Sequence, residues 1–275
     1  MGQSAKFVIT LCAFAAFGFA SADVTFFDIF KTADFEQTSD SQPMNPVNWR
    51  FNSRIETDSD DQALSGTLTL PDQSIRAFTQ SDPRTLSFGE EGFSNSTDLD
   101  IAFPDGPYLF SIDSGTLAGW TGEIREPAAD YPDAVPYLTN NGYSALQNAD
   151  PNSSISVTWN GFGHGGGGDS ALVFFDIFDQ TDGVYILDHF GDQSVYQGDT
   201  IGAGTLIAGH QYTYNLFYSV RFNNNYIAPD GGFGIAGFDF ATSGDFTAVP
   251  EPATLAAFVL GAVGFARRRR RIQRR

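Results

Sequence analysis

Tyr212-Thr-Tyr-Asn-Leu-Phe-Tyr-Ser-Val220 decides the fold class. Tyr212, Tyr214, Leu216, Tyr218 and Val220 fall on one side of an extended chain, and Thr213, Asn215 and Ser219 on the other. Side chains of a strand alternate between its faces, so this row predicts a β-strand with one buried side. Ile155, Val157 and Trp159 alternate with Ser154, Ser156 and Thr158 in the same way. Tyr108, Phe110 and Ile112 repeat the pattern after the turn Pro104-Asp105-Gly106-Pro107. Further strands are expected over residues 24–30, 49–55, 64–70 and 233–240, the last with glycines that signal a bulge or tight packing. Residues 171–178 are a more continuous apolar run, broken only by Asp176, which predicts a central strand covered on both faces. Thr181-Asp182-Gly183 then reads as a hairpin turn into a strand over 184–187. No helical period lasts longer than a turn or two between the chain's ends. The expectation is an all-β domain of two stacked antiparallel sheets, a β-sandwich of jelly-roll or immunoglobulin-like order. Residues 23–84 are richer in Asp, Ser and Gln and read as an N-terminal elaboration of the same domain. Phe26-Phe27-Asp28-Ile29-Phe30 recurs as Phe174-Phe175-Asp176-Ile177-Phe178, which reads as chance in a Phe-rich chain.

The two ends differ from this middle. Lys6 precedes an apolar stretch over 7–19, and Ala20-Ser21-Ala22 supplies the small residues signal peptidase needs, so residues 1–22 read as a signal peptide cut after Ala22. Cys12 lies inside it, leaving the exported part without disulfide or thiolate chemistry. At the other end Val249-Pro250-Glu251-Pro252 leads into the uncharged stretch 253–266, then Arg267, Arg268, Arg269, Arg270 and Arg271, with Arg274 and Arg275 beyond. As a helix the uncharged stretch covers about 21 Å. That is short of the roughly 30 Å hydrocarbon core, a gap that arginine snorkelling and local thinning reduce. An arginine costs about 2.5–3.5 kcal/mol at the bilayer centre, so this cluster reads as a stop that keeps the C-terminus cytoplasmic.

Between the ends, Lys31, Arg50, Arg54, Arg76, Arg84, Arg125 and Arg221 face 32 of the chain's 33 acids, so seven positive charges against 32 negative give a net charge of −25. Such a surface repels nucleic acid and anionic headgroups and attracts cations. The 15% aromatic content supplies enough apolar mass for a core, which excludes a disordered acidic tail. The division that follows is signal peptide 1–22, acidic ectodomain 23–248, and C-terminal segment 249–275.

That C-terminal segment, with Val-Pro-Glu-Pro, a short apolar helix and an arginine cluster in this order, resembles the PEP-CTERM sorting signal of Gram-negative and related bacteria. The resemblance implies an exosortase, a membrane protease or transpeptidase, as partner, with Pro250, Glu251 and Pro252 carrying recognition. It also implies an exported protein, held in the membrane as a precursor and later placed in the cell envelope, at the surface or in the extracellular matrix. Residues 104–112, 156–160 and 203–214 are similar to ectodomains found beside such signals, and no activity comes with that similarity.

Catalytic and metal motifs are weak. Gly161 to Asp169 is glycine-rich but lacks the Lys-Ser or Lys-Thr and the following helix of a phosphate loop, and reads as a turn. His164, His189 and His210 show no metal-ligand spacing. Asp58, Asp60 and Asp61 form one candidate Ca²⁺ run, and Asp179 and Asp182, with Asp176 before them, another; neither has EF-hand spacing. No Gly-x-Ser-x-Gly elbow is present. The reading is a non-catalytic envelope or matrix protein with no cofactor beyond Ca²⁺, no nucleic-acid partner, and extracellular polysaccharide as the candidate ligand. The competing reading is a secreted polysaccharide-binding or polysaccharide-cleaving protein.

Overall fold

The computed structural model describes residues 23–128, 131–163, 168–192, 196–223, 226–227 and 232–249. In chain order the first half gives β1 (Val24–Glu36), β2 (Asn48–Thr57), β3 (Ser65–Thr69), β4 (Ile75–Asp82), β5 (Thr85–Phe93), α1 (Ser96–Ala102), β6 (Gly106–Ser114) and β7 (Thr121–Glu126). The second gives β8 (Leu138–Thr139), α2 (Gly142–Gln147), β9 (Ile155–Trp159), β10 (Ser170–Asp179), β11 (Val184–Asp192), β12 (Gly198–Ile201), β13 (Gln211–Phe222), β14 (Tyr226–Ile227) and β15 (Phe233–Thr247). The chain is thus mostly β, as its alternation predicts. Among the described residues no helix is long and apolar enough to cross a membrane. The stretches 1–22 and 253–266, where signal and membrane helices are expected, lie outside the described residues.

The sheets differ from two antiparallel layers. Twelve strands are joined in the order β11-β10-β13-β15-β1-β2-β5-β4-β3-β6-β7-β14, and a separate three-stranded sheet runs β12-β9-β8. One pairing in the large sheet is parallel: β1 lies beside β15 from Phe26↔Phe233 to Glu36↔Ser243. The alternation pattern is the same for parallel and antiparallel strands, so the sequence carries no sign of this. Parallel neighbours need a long connection, and here the whole intervening chain supplies it. Residues 23–84 contribute β1 to β4, and β1 sits inside the large sheet between β15 and β2.

β4 turns the sheet over. Its first half pairs with β3, up to Gly66↔Phe78, and its second half with β5, from Thr79↔Ser87. A strand that changes partners in this way makes a corner. Beyond it, β6 and β7 lie across β1 and β2. Phe27 of β1 meets Phe110 at 5.0 Å and Trp120 at 5.3 Å, edge to face. Phe51 of β2 stacks on Phe103 at 4.0 Å, with Tyr108 at 5.8 Å. Gly122 of β7 permits this approach, since a Cβ there would lie 3.0 Å from the Phe27 ring and 2.7 Å from Trp120. The small sheet covers the other half of the same face. Trp159 packs on Phe175 at 5.1 Å and Phe162 stacks on Tyr218 at 4.1 Å. Gln37 ties the halves: its amide exchanges hydrogen bonds with the Leu138 backbone, 2.9 and 3.1 Å, and accepts from the Tyr214 hydroxyl at 2.8 Å.

The inward rows are as expected: Tyr212, Tyr214, Leu216, Tyr218 and Val220 are all buried, and so are Ile155, Val157 and Trp159. β10 departs from expectation. Ala171, Val173, Phe175 and Ile177 are buried, whereas Leu172, Phe174, Asp176 and Phe178 are only half-buried. Its apolar run is covered on one face; on the other, Phe174 is shielded by Phe190 at 5.8 Å and by the Arg221 guanidinium at 4.9 Å rather than by a second layer. The predicted hairpin after β10 is present, with Gly183 at φ 71°, a left-handed turn that glycine adopts without strain.

Candidate functional site

The face of the large sheet turned away from the core carries the main concentration of polar chemistry. Register places it residue by residue. On β1, Asp28, Phe30, Thr32 and Asp34 alternate with core residues, and on β2 their antiparallel partners are Arg54, Asn52, Arg50 and Asn48. On the other side, Thr32 lies beside Asp239 of β15, which pairs with Ser219 of β13, and Phe30 lies beside Gly237, which pairs with Arg221. These rows frame a shallow groove of about 580 Å³.

Two of its three arginines are held by acids. Arg54 Nε donates to Asp28 Oδ2 at 2.7 Å, and Arg50 Nε to Asp34 Oδ2 at 2.9 Å. Burial pushes the Asp28 carboxyl up to about 7 even though Arg54 pulls it down. Asp239 is raised to about 6 by burial, which outweighs Ser219 and Arg221, and its Oδ1 is sealed from solvent with no hydrogen-bond partner among the described residues. Arg221 differs from the other two. Its Nε donates to Ser219 Oγ at 3.2 Å, and its guanidinium lies over Phe30 at 5.5 Å and Phe174 at 4.9 Å. Gly237 makes room for the Phe30 ring, because a Cβ there would lie 2.1 Å from it.

A second charged cluster is internal. Lys31, fully buried on the core face of β1, donates to Asp100 Oδ1 at 2.8 Å and lies 3.5 Å from Asp105 and 3.6 Å from Glu126. Burial pushes Glu126 up to about 8 against the pull of Lys31, while its carboxylate neighbours raise the Lys31 ammonium despite burial. The ammonium is already ringed by carboxylates and serves the packing of α1 and β7 on β1.

The aspartates singled out in the sequence separate. Asp60 pairs with Arg84 at 2.7 Å, Asp61 accepts from Gln80 at 3.2 Å, and Asp58 accepts from the Asp23 N–H at 3.5 Å. Asp176 points to the open face and accepts from Asn215 at 2.7 Å. Asp179 and Asp182 do converge, and with them His210: one ligand atom from each lies within 4.8 Å of the others. Asp179 Oδ2 meets His210 Nδ1 at 2.9 Å, and its Oδ1 accepts from the N–H groups of Thr181 and Asp182 at 2.9 and 3.1 Å. Burial opposes the charge on Asp179, but these bonds outweigh it and hold the carboxyl below its ordinary value. An imidazole suits zinc-like ions better than Ca²⁺, which takes oxygen. The His210 carbonyl accepts from the Ala248 N–H at 3.3 Å, so this group stands where the chain leaves the domain. His189 bonds Asp199, and His164 lies outside the described residues.

Of the C-terminal candidates only Val249 is described. Its N–H donates to Ala149 O at 2.9 Å, its side chain is exposed, and Ala248 before it is fully buried. Ala20, Ala22, Pro250, Glu251, Pro252 and Arg267 to Arg271 lie outside the described residues. The open-face groove was not anticipated. Its only trace in the sequence is the equal parity of Arg50, Asn52 and Arg54 in one strand, which became informative once β1 and β15 were placed beside it.

Residues 248–271 match the family model of the PEP-CTERM protein-sorting motif. The chain therefore carries that motif, which marks a bacterial protein exported towards the cell envelope and sorted by exosortase-type machinery. No curated protein matches the chain. Among solved structures it is similar to a biofilm-associated protein's BSP domain, at 15% identity over 80% of this chain and 29% of that one, TM-score 0.20. It is also similar to the FN1–FN3 domains of chicken CNTN1, at 10% identity over 77% and 68%, TM-score 0.24. A tetra-tandem repeat from the extending region of a large adhesion protein follows, at 12% identity over 81% and 50%, TM-score 0.23. The chain thus spans well under two thirds of the first and third of these. Likenesses this slight carry no argument about its fold or role.

Proposed function

We propose that this is an envelope or extracellular-matrix protein of a Gram-negative-type bacterium, held in the membrane as a precursor until it is cut at its C-terminal motif. The mature domain acts by binding, in association with extracellular polysaccharide, and not by catalysis. The observation that carries the reading is the sorting motif itself, which begins where the last strand ends: β15 closes at Thr247 and the match starts at residue 248. Support for a binding role comes from the open face, where Arg50 and Arg54 are oriented by ion pairs within a polar groove.

The sorting claim is tested with Glu251→Ala in the native host. The expected outcome is a full-length, membrane-held species in place of the processed one, and normal processing of the variant would contradict it. The competing reading, polysaccharide cleavage, is tested by a reducing-sugar assay beside a glycan array. Hydrolysis abolished by replacing one carboxylate would overturn the non-catalytic assignment. The convergence of Asp179, Asp182 and His210 supports a divalent cation as a cofactor.

A further inference from the structure

Arg221 is an anomaly of charge pairing. The exported part has seven basic residues and 32 acids. Lys31, Arg50, Arg54, Arg76, Arg84 and Arg125 each lie within 4.0 Å of a carboxylate. Arg221 has none at that distance among the described residues, although acids outnumber bases more than fourfold. Asp239 and Asp28 are near enough to feel its charge but not to bond it. Its one side-chain bond among the described residues, to Ser219, uses Nε and leaves both Nη groups to donate to a ligand. Desolvating a guanidinium without pairing it is costly, and the cost is paid here on an open surface and not in a packed core.

The surroundings indicate what would complete it. Phe30 and Phe174 flank the guanidinium, and Phe174 continues into the exposed Phe190 at 5.8 Å, stacked. The row Phe190–Phe174–Arg221–Phe30 crosses from β11 to β1. Its three centre-to-centre steps are 5.8, 4.9 and 5.5 Å. On its far side Arg54 lies over Phe26 at 4.9 Å, and Phe26 is 6.2 Å from Phe233. The surface is an extended shelf of rings and planar cations without a deep apolar pocket. Arg54 and Arg50 take up Asp28 and Asp34, so Arg221 leaves one local positive site, on a domain whose net charge otherwise repels polyanions, for a chain of sugar rings with C–H faces that bears carboxylates. An acidic peptide would need pockets for its side chains or would pair along the free edge of β11, whereas Arg221 lies on β13, two strands in from that edge.

We propose that this shelf binds an acidic polysaccharide, with the Arg221 Nη groups taking a sugar carboxylate as a bidentate pair and Phe30, Phe174 and Phe190 carrying the adjoining sugar faces. The proposal rests on the glycan-associated reading and names its ligand class and contact residues.

The test uses the full-length chain purified in detergent and titrated with polygalacturonate, neutral dextran and poly-glutamate, each at low and high salt. The expected result is salt-sensitive binding of polygalacturonate that weakens about tenfold or more in Arg221→Met, the loss of about one charge-assisted pair. Arg125→Gln, remote on β7, leaves it unchanged, and both variants keep the parent melting temperature. Phe190→Ala, at an exposed position, weakens it less. Equal binding by Arg221→Met, or binding of dextran alone, overturns the acidic-ligand proposal while leaving the glycan-associated reading in place. Binding of none of the glycans overturns both. Poly-glutamate bound as tightly, with the same dependence on Arg221, overturns the choice of polysaccharide over peptide.

Discussion

The same five residues occur twice in the large sheet and meet different fates. In Phe26–Phe30 of β1 and Phe174–Phe178 of β10, the second and fourth residues, Phe27 and Ile29 or Phe175 and Ile177, are fully buried in the core. Both aspartates therefore face outward. Asp28 lies between β15 and β2, is sealed in, and bonds Arg54 at 2.7 Å. Asp176 lies between β13 and β11, is half-buried, and bonds Asn215, with Asp188 opposite it. Phe30 folds over Gly237 beneath Arg221, while the Phe178 ring meets Tyr185 at 5.1 Å. The next residue differs as well: Lys31 and Asp179 are both buried core-face charges of opposite sign, one ringed by carboxylates and the other bonded to His210. A pentapeptide fixes which way its side chains point; the strands on either side fix what those side chains can do.

The comparison can be broken at its strongest point first. Phe27→Ala and Phe175→Ala should each cost about 3–5 kcal/mol in urea unfolding, since both rings are fully buried. A cost below about 1 kcal/mol for either would show that the two copies are not equivalent in the core. The sixth position gives the next effect. Lys31→Met strands Glu126 and should cost about 3–5 kcal/mol, partly recovered by adding Glu126→Gln. Asp179→Asn keeps an acceptor for His210 and should cost only about 1–3 kcal/mol. A larger loss from Asp179→Asn than from Lys31→Met would reverse the ranking.

The two aspartates also predict a pH dependence. Asp28, Glu126 and Asp239 have folded values raised to about 7, 8 and 6 by burial, from 3.8 for aspartate and 4.5 for glutamate. The folded chain keeps these protons where the unfolded chain has lost them, so stability falls as pH rises from about 4 to about 8. Melting temperatures should therefore be higher at pH 5 than at pH 8, and Asp28→Asn should flatten that slope more than Asp176→Asn does. An unchanged slope in Asp28→Asn would remove its role. The smallest effect expected is from cations: Zn²⁺ should raise the melting temperature more than Ca²⁺, and Asp182→Asn should abolish the difference. No shift with either ion would leave Asp179, Asp182 and His210 as a hydrogen-bonded turn alone.

Strands that bury one face were legible in the sequence, because Tyr212 to Val220 and Ile155 to Trp159 alternate without interruption. β4 and β5 were not: Ile75–Asp82 exposes most of both faces and Thr85–Phe93 is half glycine and acid, so neither shows a period of two. The place of β1 beside β15 was hidden because pairing direction leaves no mark on alternation. α1 is seven residues with one buried side chain, Leu99, too short to declare a helical stripe. Asp58–Asp61 and Asp179–Asp182 looked alike as acidic runs; what distinguishes them is His210, brought in from 31 residues away. The sorting motif, in contrast, was readable because its three parts are contiguous. The shelf around Arg221 was not, because it draws on β1, β10, β11 and β13 at once.

The central claim is that an acidic, mostly β domain is exported and then cut at the motif that follows its last strand. Mass spectrometry of the mature C-terminus, on protein recovered from the native cell surface or medium, tests it most directly. The account predicts a terminus at or near Pro250–Pro252, with the residues from 253 onward, including Arg267 to Arg271, absent. A mature chain that still ends at Arg275 would contradict it.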